Sequence, residues 1–188
     1  MNIVDAQREM RTRYVGGFYG QLVSGILWLA SAAVATLRGP RPAIILLVVG
    51  GFFIFPLTEL LLRNAGARAR LGPENTLREL GMQVAFVLPL SMPLLLPVGL
   101  YRLDWFYPAM MVLLGAHYLP FAFLYGMRMF IVLAGLLAGG GILVAMYLST
   151  GFSIGAWYGG AVLLVFAAAG RALAEREWRG RTGTQVSA

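Results

Sequence analysis

Three features of the sequence could do chemistry: a carboxylate, a histidine and a run of prolines, each inside an apolar segment. Glu59 lies four residues before Arg63. That spacing puts both charges on one helix face and favours a structural ion pair; the alternative is a carboxylate that binds a proton or a cation. His117 is the only histidine in the chain. It could relay protons, because histidine changes charge near neutral pH, or serve as a hydrogen-bonded packing residue.

The prolines Pro89, Pro93 and Pro97 recur every four residues within one apolar segment. Proline has no N–H, so each of them removes one hydrogen bond from a helix and frees the carbonyl four residues earlier. In lipid, a freed carbonyl has to be satisfied by protein, water or a ligand. The run therefore predicts either a bent helix that lines a wet cavity or a kinked packing helix.

We expect a polar pocket among the second, third and fourth apolar segments. Its candidate residues are Glu59, His117, Gln83, Tyr118, Pro89, Pro93, Pro97 and Gln21. The chain has no cysteine, which excludes a thiolate metal site, a disulfide scaffold and a cysteine nucleophile. No pattern in the sequence indicates a cofactor or a metal site.

The elements that must position these residues are membrane-spanning helices. Of the 188 residues, 59% are hydrophobic and 12% are charged, whereas a soluble domain is nearer half apolar and a quarter charged. A helix needs about 20 apolar residues to cross a bilayer. Six runs meet that length, at 15–37, 42–62, 80–100, 105–125, 129–148 and 154–173. The sequence therefore predicts an all-α integral membrane protein with six transmembrane helices.

Three parts of the chain are expected: an amphipathic interfacial helix at 1–14, a six-helix transmembrane domain at 15–173 and a polar tail at 174–188. Asn2 followed by Asp5 is typical of a helix start. All fifteen basic residues are arginine; twelve lie at the ends that share a side with the termini, and three lie opposite. This bias predicts a protein of the cell (inner) membrane with both termini in the cytoplasm. It also accounts for the basic charge without a nucleic-acid partner.

Glycines spaced by four residues indicate close helix packing, either within the subunit or with a second copy or a partner membrane subunit. They are Gly16, Gly20, Gly135, Gly139, Gly155 and Gly159. A weak internal repeat is also present: the second and fourth segments share a central glycine and a proline five residues later, and Gln21 and Gln83 occupy similar places in the first and third. The repeat predicts helical hairpins arranged in parallel.

The most distinctive motif covers residues 6–28. It consists of Ala6-Gln7-Arg8-Glu9-Met10-Arg11, then Tyr14, Gly16-Gly17 and Leu22-Val23-Ser24-Gly25-x-x-Trp28. This motif resembles a family of small six-helix bacterial membrane proteins of unknown function, so the resemblance implies a fold and no activity. In size and topology alone, the chain is also similar to the substrate-binding subunits of energy-coupling-factor vitamin transporters.

These observations favour a carrier, or its binding subunit, for a small molecule or an ion. The alternative is a non-transporting structural or accessory membrane protein that associates through the glycine faces. A membrane-embedded enzyme is the third hypothesis, and the shortage of nucleophile–base pairs counts against it. Under each hypothesis the protein's main partner is the lipid bilayer that surrounds it.

Overall fold

The computed structural model describes residues 1–65, 71–148 and 151–186, with the backbone alone for 177–186. Within these residues the chain forms ten α-helices and no β-strand. The helices are α1 Ile3–Tyr14, α2 Phe18–Arg38, α3 Pro40–Gly51, α4 Ile54–Asn64, α5 Leu77–Ser91, α6 Leu95–Tyr101, α7 Phe106–Tyr118, α8 Phe121–Tyr125, α9 Met129–Tyr147 and α10 Ile154–Val186.

The all-helical membrane-protein class expected from the sequence is confirmed. By length and composition, five continuous helical stretches can cross a membrane, and α3 with α4 makes a sixth when the pair is counted as one span bent by 53°. Most stretches begin and end close to the predicted limits; Leu77–Tyr101, for example, corresponds to the predicted 80–100, whereas the first, Ile3–Arg38, also includes the expected interfacial helix. Helix α10 continues past residue 173 to Val186, so the described part of the expected tail, 174–186, extends the last helix.

The bend in the second span lies between Gly51 and Ile54. Proline at position 56 cannot donate to the carbonyl of Phe52, and two glycines directly before the bend weaken the helix further. The N–H of Phe53 instead bonds the carbonyl of Gly50 at 2.9 Å. Helix α9 contains three consecutive glycines but no proline and continues without interruption, so the proline is the feature that distinguishes the broken span.

The core of the bundle consists of α2 packed against α10 and α7 packed against α9. Glycines let these helices approach closely. A Cβ added to Gly115 would lie 2.7 Å from the carbonyl oxygen of Ala134, and one added to Gly141 would lie 2.6 Å from that of Pro108. The space between the helices is filled by large buried side chains, among them Trp28.

The predicted packing glycines fall into two groups. Added Cβ atoms would meet neighbours within 3.0 Å at Gly16, Gly155 and Gly159, and at Gly20 the nearest atom is 3.9 Å away. At Gly135 and Gly139 nothing lies within 4 Å. These last two glycines therefore lie on a face of α9 that contacts no other described residue, because α7 and α10 pack on its other sides.

Helices α3 to α6 form the periphery of the bundle. Apolar side chains such as Phe53, Phe86 and Leu90 are exposed there, as expected for surfaces that face lipid tails. The two positions paired by the suspected repeat differ in environment, because Gln21 is buried and Gln83 is exposed. Their similar places along the chain therefore do not correspond to similar places in the bundle.

Candidate functional site at the α1 end

Helix α1 begins where the sequence predicts a helix start, since the side chain of Asn2 accepts a hydrogen bond from the N–H of Asp5 at 2.9 Å. It ends at three consecutive residues with positive φ, Val15, Gly16 and Gly17. Such backbone is strained for a β-branched residue such as valine. Because of this junction, α1 does not continue the path of α2, and it packs against α5 and α8. We call this end of the bundle the α1 end.

Two polar side chains of α1 cap the end of α8. Gln7 donates from Nε2 to the carbonyl of Phe123 at 2.6 Å, and Arg11 donates from Nη1 to the carbonyl of Tyr125. The last carbonyls of a helix have no donor within the helix, and a cation there also interacts favourably with the helix dipole. Gly126 ends α8 with φ of 62°, and a Cβ there would lie 2.6 Å from Oε1 of Gln7.

A second face of α1 holds the loop before α5. Glu9 accepts hydrogen bonds from the N–H of Gly72 at 2.9 Å and from Nδ2 of Asn75 at 2.6 Å. Asn75 is 3% exposed and also bonds the carbonyl of Ala6 and the N–H of Leu77. The sequence analysis did not single out Asn75, although an asparagine just before an apolar helix is typical of a cap.

The partner of Glu59 is Arg13 of α1. Its Nη2 lies 2.9 Å from Oε2 of Glu59, and the two side chains are only 16% and 20% exposed. The expected pair with Arg63 does not form among the described ion pairs, and Arg63 is exposed. The i,i+4 spacing indicated a neighbour on the same helix, whereas the fold brings in a residue from 46 positions away.

Gln21 is the most deeply buried candidate residue at this end. It is 2% exposed, and within the described structure neither of its amide atoms has a hydrogen-bond partner; the same holds for Nη1 of Arg13 and Oγ1 of Thr58. Nε2 of Gln21 lies 3.8 Å from the Cβ position of Gly17, and Oγ1 of Thr58 lies 3.9 Å from that of Gly20. These atoms therefore border the first turn of α2.

We refer to four residues together as the α1-end polar cluster. They are Arg13, Gln21, Thr58 and Glu59. Buried polar atoms in folded proteins nearly always have a partner, so these unpartnered atoms mark the cluster as the candidate site.

A cluster of aromatic rings lies beside Gln21, on the side toward the middle of the bundle. The rings of Tyr125 and Phe130 are 5.3 Å apart, and that of Phe121 is 5.8 Å from Phe130. Tyr118 is buried in the same cluster and lies near Ser24, one turn further along α2. The Cβ position of Gly17 lies 3.2 Å from Phe130 and 3.3 Å from Tyr125, so the rings pack directly against the first turn of α2.

His117 has neighbours different from those of Glu59. Its ring lies 5.6 Å from that of Tyr118 and 5.3 Å from that of Phe121, and it lies near the backbone of Val84 on α5. Its Nδ1 has no partner among the described atoms. His117 therefore joins α7 to α5, and the structure does not bring it into one constellation with Glu59.

The remaining predicted pocket residues lie on α5, on α6 and in the 3-10 turn between them. Gln83, Pro93 and Pro97 are exposed there. The N–H of Met92 donates to the carbonyl of Pro89, because the chain tightens into a 3-10 turn at this point. Such local tightening is a common way to satisfy carbonyls freed by proline. The carbonyl of Pro89 is therefore already bonded within the helix.

A small cavity lies beside the bend between α3 and α4. Its volume is about 50 Å³, whereas pockets for small-molecule ligands are usually about 300–1,000 Å³. Ser24 is its one hydroxyl-bearing residue, and Pro89 is the one predicted pocket residue that lines it. The other lining residues are Leu27, Trp28, Leu47, Gly51, Phe52, Ile54, Leu88, Met92, Met110 and Leu114. This cavity is too small and too apolar for a vitamin.

A buried hydrogen-bond network at the opposite end of α2 was not anticipated. Oγ of Ser31 donates to the carbonyl of Ala43 at 2.8 Å and lies 2.6 Å from the hydroxyl of Tyr107. Ser31 and Tyr107 are both fully buried. The spacing of seven residues between Ser24 and Ser31 places both hydroxyls on one face of α2, which is the signal that could have identified the second one. This network ties α2 to α3 and α7.

Among the described residues, no three histidine, cysteine, aspartate or glutamate side chains come together as a metal site. The α1-end polar cluster therefore offers hydrogen-bond donors, one acceptor amide and one ion pair. This set suits recognition of a polar molecule or an ion.

Comparisons with known proteins support the resemblance noted in the sequence. A family model described as a family of unknown function, DUF7010, matches residues 3–171. No curated protein and no solved structure matches the chain. The topological likeness to energy-coupling-factor subunits is not confirmed. Because the family match extends over most of the chain, this protein belongs to the DUF7010 family.

Proposed function

We propose that the protein is a membrane carrier, or the binding subunit of one, for a small polar molecule or ion. Its site is the α1-end polar cluster, reached from the cytoplasmic side. The observation that carries the proposal is the burial of Gln21 at 2% exposure with neither amide atom bonded within the described structure. Leaving a buried polar group unpaired costs about 1–3 kcal/mol, so a ligand that bonds it gains binding energy.

The arrangement of α1 supports the same proposal. The helix supplies Arg13 to the cluster and makes polar contacts through Gln7, Glu9, Arg11 and Arg13. Two of its apolar side chains, Ala6 and Met10, are also buried. Polar contacts can be exchanged for water at an interface more readily than a packed apolar core can be opened. Movement of α1 would therefore open the site and expose two apolar side chains without unfolding the bundle. The arginine bias of the sequence assigns this end to the cytoplasm.

The first test is native mass spectrometry of the purified full-length protein, with and without Gln21→Leu. We expect a co-purified small molecule on the unaltered protein and its loss in the variant. Gln83→Leu is the matched control, because it removes the same side chain from an exposed position. Equal ligand content in both variants, or none in the unaltered protein, would contradict the proposed site. Uptake of the identified molecule into proteoliposomes then separates a carrier from a binding subunit.

A second candidate function, an accessory protein that pairs with another membrane protein or a second copy, is favoured by the exposed face of α9. Gly135 and Gly139 have nothing within 4 Å, and glycines four residues apart allow two helices to pack closely in lipid. We expect Gly139→Leu to change the oligomeric state in native mass spectra if this function is correct. Gly99→Leu is the control, since Gly99 on α6 is equally open.

A further inference from the structure

We infer that the ligand of the α1-end polar cluster is a small carboxylate or similar oxyanion. This inference rests on the proposed function and names the ligand class of the same site. Three unpartnered groups of the cluster can donate a hydrogen bond: Nη1 of Arg13, Nε2 of Gln21 and Oγ1 of Thr58. One unpartnered atom, Oε1 of Gln21, can only accept.

The balance of donors decides which ligand fits. An ionised carboxylate is purely an acceptor, with two oxygens and about four lone pairs. It could therefore satisfy several of these donors at once. An ammonium ion is purely a donor and would find two neutral acceptors among the unpartnered atoms, Oε1 of Gln21 and Oγ1 of Thr58, whereas a carboxylate would find three donors, one of them charged. Hydrogen bonds from arginine to a carboxylate are also short and strong compared with neutral ones.

The ion pair sets how tightly such an anion binds. Arg13 already donates from Nη2 to Glu59 at 2.9 Å, so the pair is neutral and Glu59 repels an incoming carboxylate. The nearest other charged group on α4, Arg63, is exposed. Removing the charge of Glu59 would leave the positive charge of Arg13 for the ligand. Loss of the charge of Arg13 should therefore weaken anion binding, whereas loss of the charge of Glu59 should strengthen it.

The test is calorimetric titration of the purified full-length protein with sodium acetate, pyruvate and succinate. Ammonium, methylammonium and choline chlorides serve as cation probes at matched ionic strength. We expect saturable binding of at least one carboxylate. Glu59 is only 20% exposed, and its charge would repel a bound carboxylate over a distance of a few ångströms. Glu59→Gln is therefore expected to lower the Kd of the carboxylate about tenfold. Arg13→Gln and Gln21→Leu are expected to abolish binding, and Gln83→Leu to leave it unchanged.

Thr58→Val provides a second test of the inference if the Arg13→Gln variant does not fold. It removes one donor while keeping the shape of the side chain and the ion pair, and we expect it to weaken carboxylate binding severalfold. Weaker carboxylate binding in Glu59→Gln would overturn the inference, since a purely structural ion pair predicts that result. Binding of a cation probe that depends on Gln21 would also overturn it while leaving the proposed function intact. The absence of any Gln21-dependent binding would overturn both.

Discussion

Adding a single methyl group to Gly159 should destabilise the bundle, whereas the same change at Gly139 should not. Both residues end a Gly-x-x-x-Gly motif in the sequence. A Cβ on Gly159 would lie 2.7 Å from Cε3 and Cζ3 of Trp28, while one on Gly139 would meet nothing within 4 Å. Trp28 is 1% exposed and packs against Tyr107 with ring centroids 5.9 Å apart. Its ring therefore packs closely against Tyr107, and the small cavity beside the bend between α3 and α4 is the free space that it borders.

The size of the effect follows from this geometry. Ordinary carbon contacts begin near 3.4 Å, so the ring or α10 has to move by about 0.7 Å. Overpacking of this kind costs about 1–3 kcal/mol. Gly→Ala also favours a helix by up to about 1 kcal/mol, but that gain is common to both sites. The two alanine variants should therefore differ in unfolding free energy by about 1–3 kcal/mol.

Thermal unfolding of the two purified variants in the same detergent measures this difference. For a chain of this size, roughly 2–4 °C in Tm is expected for each kcal/mol. Trp28→Phe provides a further check, because a smaller ring makes room for the methyl group. The loss caused by Gly159→Ala should be smaller in that background. Equal Tm values for Gly159→Ala and Gly139→Ala would refute the reasoning that α2 and α10 are in contact at this position.

Three further predictions follow. Arg11→Ala should release α1, and its amides should exchange with deuterium roughly tenfold faster or more, because a hydrogen bond from a charged group contributes about 1.5–3 kcal/mol. Ser31→Ala should lower the Tm more than Tyr107→Phe, because the first change removes both hydrogen bonds and leaves the buried hydroxyl of Tyr107 unpaired, whereas the second leaves the Ser31–carbonyl bond intact. The chain has no cysteine, so single cysteines at Glu74 and Tyr101 report topology; an impermeant thiol reagent should label intact cells at position 101 alone.

The spans were predictable because membrane insertion depends on local composition. A run of about 20 apolar residues crosses the bilayer whatever its neighbours are, and the sequence contains six such runs. The break after Gly51 was harder to predict from the sequence, since proline and glycine in a membrane helix are compatible with either a kink or a straight packing helix.

The partners of the candidate residues could not be predicted in the same way. Gln21 and Gln83 both lie in segments that are apolar on all sides, so the hydrophobic pattern does not reveal which face is buried. The pair of Arg13 with Glu59 depends on where α1 packs, and that depends on the junction at Val15–Gly17. Gly135 and Gly155 have the same local spacing, yet only Gly155 contacts another helix of the chain.

The docking of α1 has a consequence for the order in which the protein is assembled. Gln7 and Arg11 are synthesised before their acceptors, which lie 116 and 114 residues later in the chain. At about 5–20 residues per second, roughly 6–23 s separate the two events. These contacts of α1 therefore form only after the fourth span has been synthesised, and a chaperone or protease can act on the helix before then.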